Sequence, residues 1–303
     1  MRRGILCFIV ALTTLGFANP GVALAGGGTY DAHLYAITQW TTTCSAGARD
    51  LWDDMGKAWY NEVTNSGFSF FGWCLWGHCD DYYNAARQWV DGAMSAAPFT
   101  DRTLFPAWGQ DTSYVDIADA AMICTHGGDD GGYWRGKMRN TDGNGDCYIN
   151  ANTELRVGDW DLEFLHLSSC HSLDDNMIPN AYRVFSRAGS SRILHQLDGF
   201  HGCMWIGSSF IADYEDFADD AFDIPIGLSW MLNMYRTNVN GQWTQCPIAY
   251  AVGSSADDCI NRLTGERYNN VYSDPSAVNY YCYYYYPNCA PDCETPFGQD
   301  WSN

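Results

Sequence analysis

Two short segments of this sequence end in residues able to do covalent chemistry. Residues 118–124 (ADAAMIC) form an apolar run followed by Thr125-His126-Gly127-Gly128. Residues 163–167 (EFLHL) form a second, followed by Ser168-Ser169-Cys170-His171-Ser172. A thiol becomes a useful nucleophile when a base or a positive neighbour raises its thiolate fraction. It also needs hydrogen-bond donors for the oxyanion of a tetrahedral intermediate. His126 can supply the base and Cys170 the nucleophile. The backbone amides of Gly127 and Cys170 can supply the donors: the small Gly127 lets its N–H approach a substrate carbonyl, and the nucleophile's own N–H can be the second. A structural half-cystine at Cys170 and a hydrogen-bonded loop histidine at His126 are the non-catalytic alternatives.

Other constellations are weaker. His166, His171, His195 and His201 could be imagined around a metal, but no HExxH or CxxC pair is present. His166, on the run before Cys170, reads as a packed core residue. Gly207-Ser208-Ser209 and Gly253-Ser254-Ser255 do not form a G-x-S-x-G elbow, which argues against serine-hydrolase chemistry. Asp142, Asn144, Asp146, Tyr148 and Asn150 alternate along a Gly-rich stretch in a pattern that suits Ca²⁺, a hard ion taking carboxylate, amide and carbonyl oxygens. Cys147 stands where an EF-hand turn has Gly, and Glu154 falls one place late, so a solvated Asp/Asn/Gly turn is the competing reading.

Several elements must position these residues. Residues 33–40 read as a strand, and 45–63 as a helix through Ala48, Leu51, Trp52, Met55 and Trp59, with Ser45 as N-cap. Residues 68–79 read as an aromatic hairpin, and 81–94 as a helix through Tyr83, Ala86, Trp89, Val90 and Ala93. Further on, 178–187 and 217–235 read as helices, 192–206 as strand material and 247–252 as a last buried strand. Short buried strands alternating with helices imply an α/β domain with a mainly parallel central sheet covered on both faces. Ligand chemistry in such sheets sits beyond the carboxyl ends of the strands, where both His126 and Cys170 fall.

The apolar strand with His126-Gly127, followed by the apolar strand with Ser169-Cys170-His171-Ser172, resembles the caspase-like cysteine peptidases, among them metacaspases, gingipains and CHAT domains. The Cys170-His171-Ser172 triplet is most similar to the metacaspase nucleophile motif. The likeness spans about residues 30–252. It implies a caspase-like three-layer fold, with His126 as general base and acid, Cys170 as nucleophile, and Gly127 and Cys170 amides as oxyanion hole. Ser168 stands where metacaspases carry an acidic residue that helps bind Arg or Lys, and Leu173 stands where they often have Gly. Basic specificity is therefore not implied. Leu194-His195-Gln196-Leu197-Asp198-Gly199-Phe200 and Phe217-Ala218 also resemble an uncharacterised secreted bacterial family with this core.

Residues 1–25 read as a signal peptide. Arg2 and Arg3 precede an apolar run too short to span a bilayer comfortably, and Ala23-Leu24-Ala25 offers a cleavage pattern. The expected product is secreted, periplasmic or extracellular. Residues 26–272 form the expected α/β domain, and 273–303 a small Tyr/Cys-rich, disulfide-bonded extension. The net charge is −20, and the only lysines are Lys57 and Lys137. That composition argues against nucleic-acid binding, which needs clustered cations. No later segment suggests stable membrane insertion. Twelve of the 13 cysteines lie beyond residue 25, and export to an oxidising compartment would pair most of them. Their connectivity is open. If Cys170 stays reduced, parity leaves a second free thiol, for which Cys124 on the strand before His126 is the candidate.

The expected function is that of an exported cysteine-dependent hydrolase, an endopeptidase acting on a peptide or protein substrate. It needs no cofactor, with Ca²⁺ as a possible structural ion. The alternative is a catalytically silent domain that binds peptide or glycan. Oligomeric state is not encoded in any of these features.

Overall fold

The computed structural model describes residues 6–11, 30–66, 68–70, 73–76, 78, 82–185, 194–237, 244–291 and 293–297. In chain order the elements are β1 (Leu6–Ala11), β2 (Asp31–Ala36), α1 (Trp52–Val63), β3 (Phe68–Phe70), β4 (Trp73–Trp76) and β5 (Asn84–Val90). Next come β6 (Ala120–Cys124), β7 (Gly127–Asp129), β8 (Trp134–Lys137), β9 (Tyr148–Asn150), β10 (Phe164–Ser168), α2 (Ile178–Phe185) and β11 (Gln196–His201). The last are α3 (Ile211–Asp223), α4 (Ile226–Met234), β12 (Cys246–Gly253), α5 (Ala256–Gly265) and β13 (Tyr280–Tyr285).

The central sheet has the order β1-β13-β12-β11-β10-β6-β2-β5. From β5 to β11 every neighbouring pair is parallel; β12, β13 and β1 then add antiparallel pairs. The parallel strands β6 and β10 are buried at every position, as expected where both sheet faces are covered. Side chains alternate across the sheet. Ala120, Met122 and Cys124 join one apolar cluster with α1, α3, α4 and α5. Ala121 and Ile123 join the other, with α2, the turns of residues 97–117 and the antiparallel meander β7-β8-β9. The mixed α/β architecture and the mostly parallel sheet agree with the expectation.

Several local expectations need correction. Among the described residues of 81–94 there is no helix; their centre is β5, an edge strand on β2. Register along that pair jumps from Ala32↔Ala85 to His33↔Arg87, so Ala86 is the extra residue of a bulge. A bulge shifts the phase of a strand's two-residue repeat, and the apolar residues on either side then fall at helix-like spacing. The expected helix at 45–63 starts only at Trp52, and Ser45 does not cap it. The helix expected at 217–235 is two helices, divided at Pro225, which cannot donate to the preceding turn.

The C-terminal segment is built into the domain rather than appended to it, because β13 pairs with β12 over five residues. Disulfides Cys246–Cys289, Cys259–Cys282 and Cys203–Cys293 fasten the same segment to the body. The fourth bridge, Cys44–Cys147, joins the loop after β2 to the loop before β9. These four fit folding in an oxidising compartment. Cys79 lies outside the described residues, as does the proposed cleavage point at Ala25. Within the region read as a signal, Leu6–Ala11 pairs antiparallel with β13 as the edge strand. Among the described residues, no helix is long and apolar enough to cross a membrane.

Candidate active site

His126 and Cys170 stand at the carboxyl ends of adjacent parallel strands, β6 and β10, and both line one open cleft of about 600 Å³. One wall is the loop of residues 48–52 leading into α1; the other is residues 203–206, after β11. The chain visits β2, then β5 on one side, then β6 on the other, so β2 and β6 flank the point where strand order reverses. Sheets of this kind bind ligands at such a point.

The histidine is held by a group that no sequence motif marks. Its Nε2 lies 2.8 Å from the carbonyl oxygen of Gly47, and that oxygen can only accept. The proton therefore sits on Nε2, leaving the Nδ1 lone pair available as a base. The ring packs between Trp40, at 4.7 Å between centroids, and the edge of Trp52, at 5.3 Å. Burial, aided by the charges of Arg49 and Lys137, keeps the imidazole below its ordinary pKa despite the Gly47 contact. His126 is thus neutral at neutral pH.

Cys170 and the buried Cys124 are the free cysteines among the described residues, in agreement with the parity expectation. The Cys170 Sγ rests against the backbone of Met204, accepting from its N–H at 3.4 Å and facing its carbonyl at 3.7 Å. Burial raises the thiol pKa; the Met204 contact and the Arg49 charge oppose that rise without cancelling it. No hydrogen bond joins His126 to Cys170 among the described residues. The resting pair is consequently neutral thiol and neutral imidazole, not an ion pair. Cys124 is fully buried and pushed up to about 12, which makes it chemically inert.

Indole donors from opposite faces of the sheet set the residues before Cys170. Trp52 Nε1 donates to Ser168 Oγ at 2.9 Å, and Trp134 Nε1 donates to Ser169 Oγ at 3.0 Å. Ser168 is fully buried and also bonded to the Tyr214 hydroxyl at 2.6 Å, so it presents nothing to a ligand. Gly127 fits closely against this turn. A Cβ there would overlap the Cys170 carbonyl oxygen and the Ser169 hydroxyl. After Cys170, His171 adopts φ 53°, a left-handed conformation uncommon for a residue with a side chain. Its amide donates to Gly202 O at 2.7 Å, and its Nδ1 meets Asp174 Oδ2 at 2.7 Å. Asp174 also accepts from the Gly202 amide and lies 3.5 Å from His201 Nδ1.

His166 is a core residue, as expected, bonded to Asp198 at 2.9 Å and to Tyr268 at 2.8 Å with no exposure. His195 pairs with Glu266 at 2.8 Å. The 142–150 loop satisfies much of itself. Asp142 Oδ1 accepts from the Asn144 and Asp146 amides, and Asp146 Oδ1 from the Tyr148 amide. The Asn150 side chain turns to Asp130, and the Tyr148 ring faces Lys137 and Arg135. Among the described residues, Asp142 and Asp146 do not fall in any cluster of three metal-competent side chains.

The residues missed from sequence, Gly47, Arg49, Trp52, Trp134 and Met204, act through a carbonyl, an isolated charge, two indoles and a backbone contact. None has a local spacing signal. A family model described as a domain of unknown function, DUF6345, matches residues 80–286. No curated protein matches the chain.

Proposed function

We propose that this chain, which belongs to the DUF6345 family, is a caspase-like cysteine hydrolase, most simply an endopeptidase, working through His126 and Cys170. One observation carries the reading: the single half-buried free thiol among the described residues shares a cleft with a histidine whose free ring nitrogen is fixed by Gly47. Six of the other cysteines of the domain and its C-terminal segment, together with Cys44 and Cys147, are spent in bridges. Structural need therefore does not explain why Cys170 stays reduced.

In the proposed reaction a substrate carbonyl enters the cleft and Sγ attacks its carbon while His126 Nδ1 takes the thiol proton. The carbonyl electrons move to oxygen, where the amides of Gly127 and Cys170 are the candidate donors. Supporting that role, the Cys170 amide has no hydrogen-bond acceptor on another residue among those described. The imidazolium then protonates the leaving amine as the C–N bond breaks, giving a thioester. Water, deprotonated by the same nitrogen, hydrolyses it and restores the thiol. Because thiol and imidazole rest neutral, proton transfer accompanies attack rather than preceding it.

The decisive experiment treats native protein with a thiol-directed probe, reads intact mass, and assays hydrolysis of a mixed peptide pool. Labelling at Cys170, with turnover lost in both Cys170→Ala and His126→Ala, is the expected result. Native turnover in either variant, or Cys170 mapped in a disulfide, would remove the catalytic reading.

A further inference from the structure

At the amino ends of β6 and β10, opposite the candidate active site, lies a second concentration of chemistry. Asp111 and Asp116 come from two tight turns between β5 and β6, and Asp159 from the bend leading into β10. One carboxylate oxygen from each lies within 4.8 Å of those of the other two. Asp111 and Asp116 have no solvent exposure. Neither histidine nor cysteine enters the group, so its donors are hard oxygens only.

Asp116 makes the cluster more than a crowd of acids. One of its oxygens accepts from the Gly158 amide. The other, Oδ2, is buried and has no hydrogen-bond partner. Asp116 also has no ion pair among the described residues. A buried carboxylate oxygen without a donor is costly, and close like charges add to the cost. Burial, together with Asp111 and Asp101, outweighs the backbone amides of Gly158 and Trp160 and pushes its carboxyl well above the usual range. Either a proton or a cation must answer that charge, and a cation answers three carboxylates at once.

We propose that Asp111, Asp116 and Asp159 bind a divalent cation of the Ca²⁺ type. Ca²⁺ takes several carboxylates in flexible geometry, whereas Mg²⁺ keeps its waters and demands a near-ideal octahedron. Zn²⁺ prefers nitrogen and sulfur. The ion clamps the segment between β5 and β6 to the bend before β10. That junction is already crossed by the Asp161 amide donating to the Asp116 carbonyl at 2.9 Å. The clamp fixes where β6 and β10 begin, and so where their far ends, with His126 and Cys170, come to rest. It does not depend on the proposed chemistry, and it is distinct from the 142–150 loop.

The test uses the full chain, stripped with chelator and titrated with Ca²⁺ alone, following thermal unfolding. Native protein should gain about 5 °C or more at millimolar Ca²⁺, and the gain should vanish in Asp116→Asn and in Asp159→Asn. It should persist in Asp142→Ala/Asp146→Ala. Chelated Asp116→Asn should melt no lower than chelated native protein, since Asn keeps an oxygen for the Gly158 amide and removes the burden of a buried carboxyl; this separates loss of the site from loss of the fold. Tb³⁺ luminescence excited through indole, with Trp160 directly after Asp159, gives an independent readout and should fall severalfold in the same variants. A native Ca²⁺ shift retained in Asp116→Asn, or no shift in native protein, would overturn the proposal.

Discussion

The carbonyl of Gly47 and Nε2 of His126, 2.8 Å apart, decide which nitrogen of the ring carries the proton and which is left as a base. The bond crosses from the loop after β2 to the end of β6, 79 residues away. The proposed base is therefore only as well oriented as that loop, which the Cys44–Cys147 bridge anchors three residues earlier. Replacing both cysteines by serine should lower turnover about tenfold or more while Cys170 stays alkylatable. Comparing turnover with the rate of alkylation in the same preparation checks this.

The pH profile follows from two opposite shifts. His126 titrates below its ordinary value and must be neutral to accept the thiol proton, so activity should fall only on the acid side of that depressed value. The Cys170 thiol ionises above its ordinary value, so alkylation should keep accelerating into the alkaline range without a plateau near neutrality. A thiolate plateau at pH 6–7 would contradict the neutral pair.

Arg49 lowers both pKa values through its charge. Arg49→Ala should therefore move the acid limb of activity and the alkylation curve to higher pH together. Because the side chain is exposed, the change should be modest, about two- to fivefold in alkylation rate at pH 8, and should shrink at high salt. Stopped alkylation at two ionic strengths measures it.

Gly127→Ala tests the close fit against the Ser169-Cys170 turn. The added methyl must displace the Cys170 carbonyl, the Ser169 hydroxyl and the Trp134 indole, at a cost of roughly 1–3 kcal/mol in stability. Denaturant unfolding reads the cost. Loss of Cys170 labelling in protein that remains folded would show that the turn itself has moved.

Asp174 predicts an acid limb in stability. Burial pushes its carboxyl up, but bonds from His171, His201 and the Gly202 amide prevail and hold it at about 2. Since the unfolded value is near 4, the stabilisation is complete above that pH and is lost as pH falls towards 2. The loss should amount to about 2 kcal/mol, and it should be missing from Asp174→Asn. Unfolding midpoints between pH 2 and 5 decide it.

The strand ends carrying His126 and Cys170 were legible because buried parallel strands are continuous apolar runs, and small residues mark where they stop. The free Cys124 was legible by parity. Strand β5 was not, because one bulged residue, Ala86, breaks the alternation by which strands are read. The direction of β12 was not either, since a buried run looks alike in both senses. At the site, side chains with intrinsic reactivity could be found, but the partners that orient them could not. Gly47 contributes a carbonyl that every residue has, and Trp52 and Trp134 converge from opposite faces of the sheet. Likewise His195, Gln196 and Asp198, conspicuous as a string, are interior scaffolding bonded to Glu266, Arg262 and His166.

The Cys44–Cys147 bridge also bears on when such a molecule could act. Thiols stay reduced where protein is synthesised and pair only in an oxidising compartment. Before pairing, the loop presenting the Gly47 carbonyl lacks this cross-link, so the proposed base is held less firmly. On the proposed chemistry, crossing out of the reducing compartment would itself raise the activity. The cell that makes it would then carry it in its less active form.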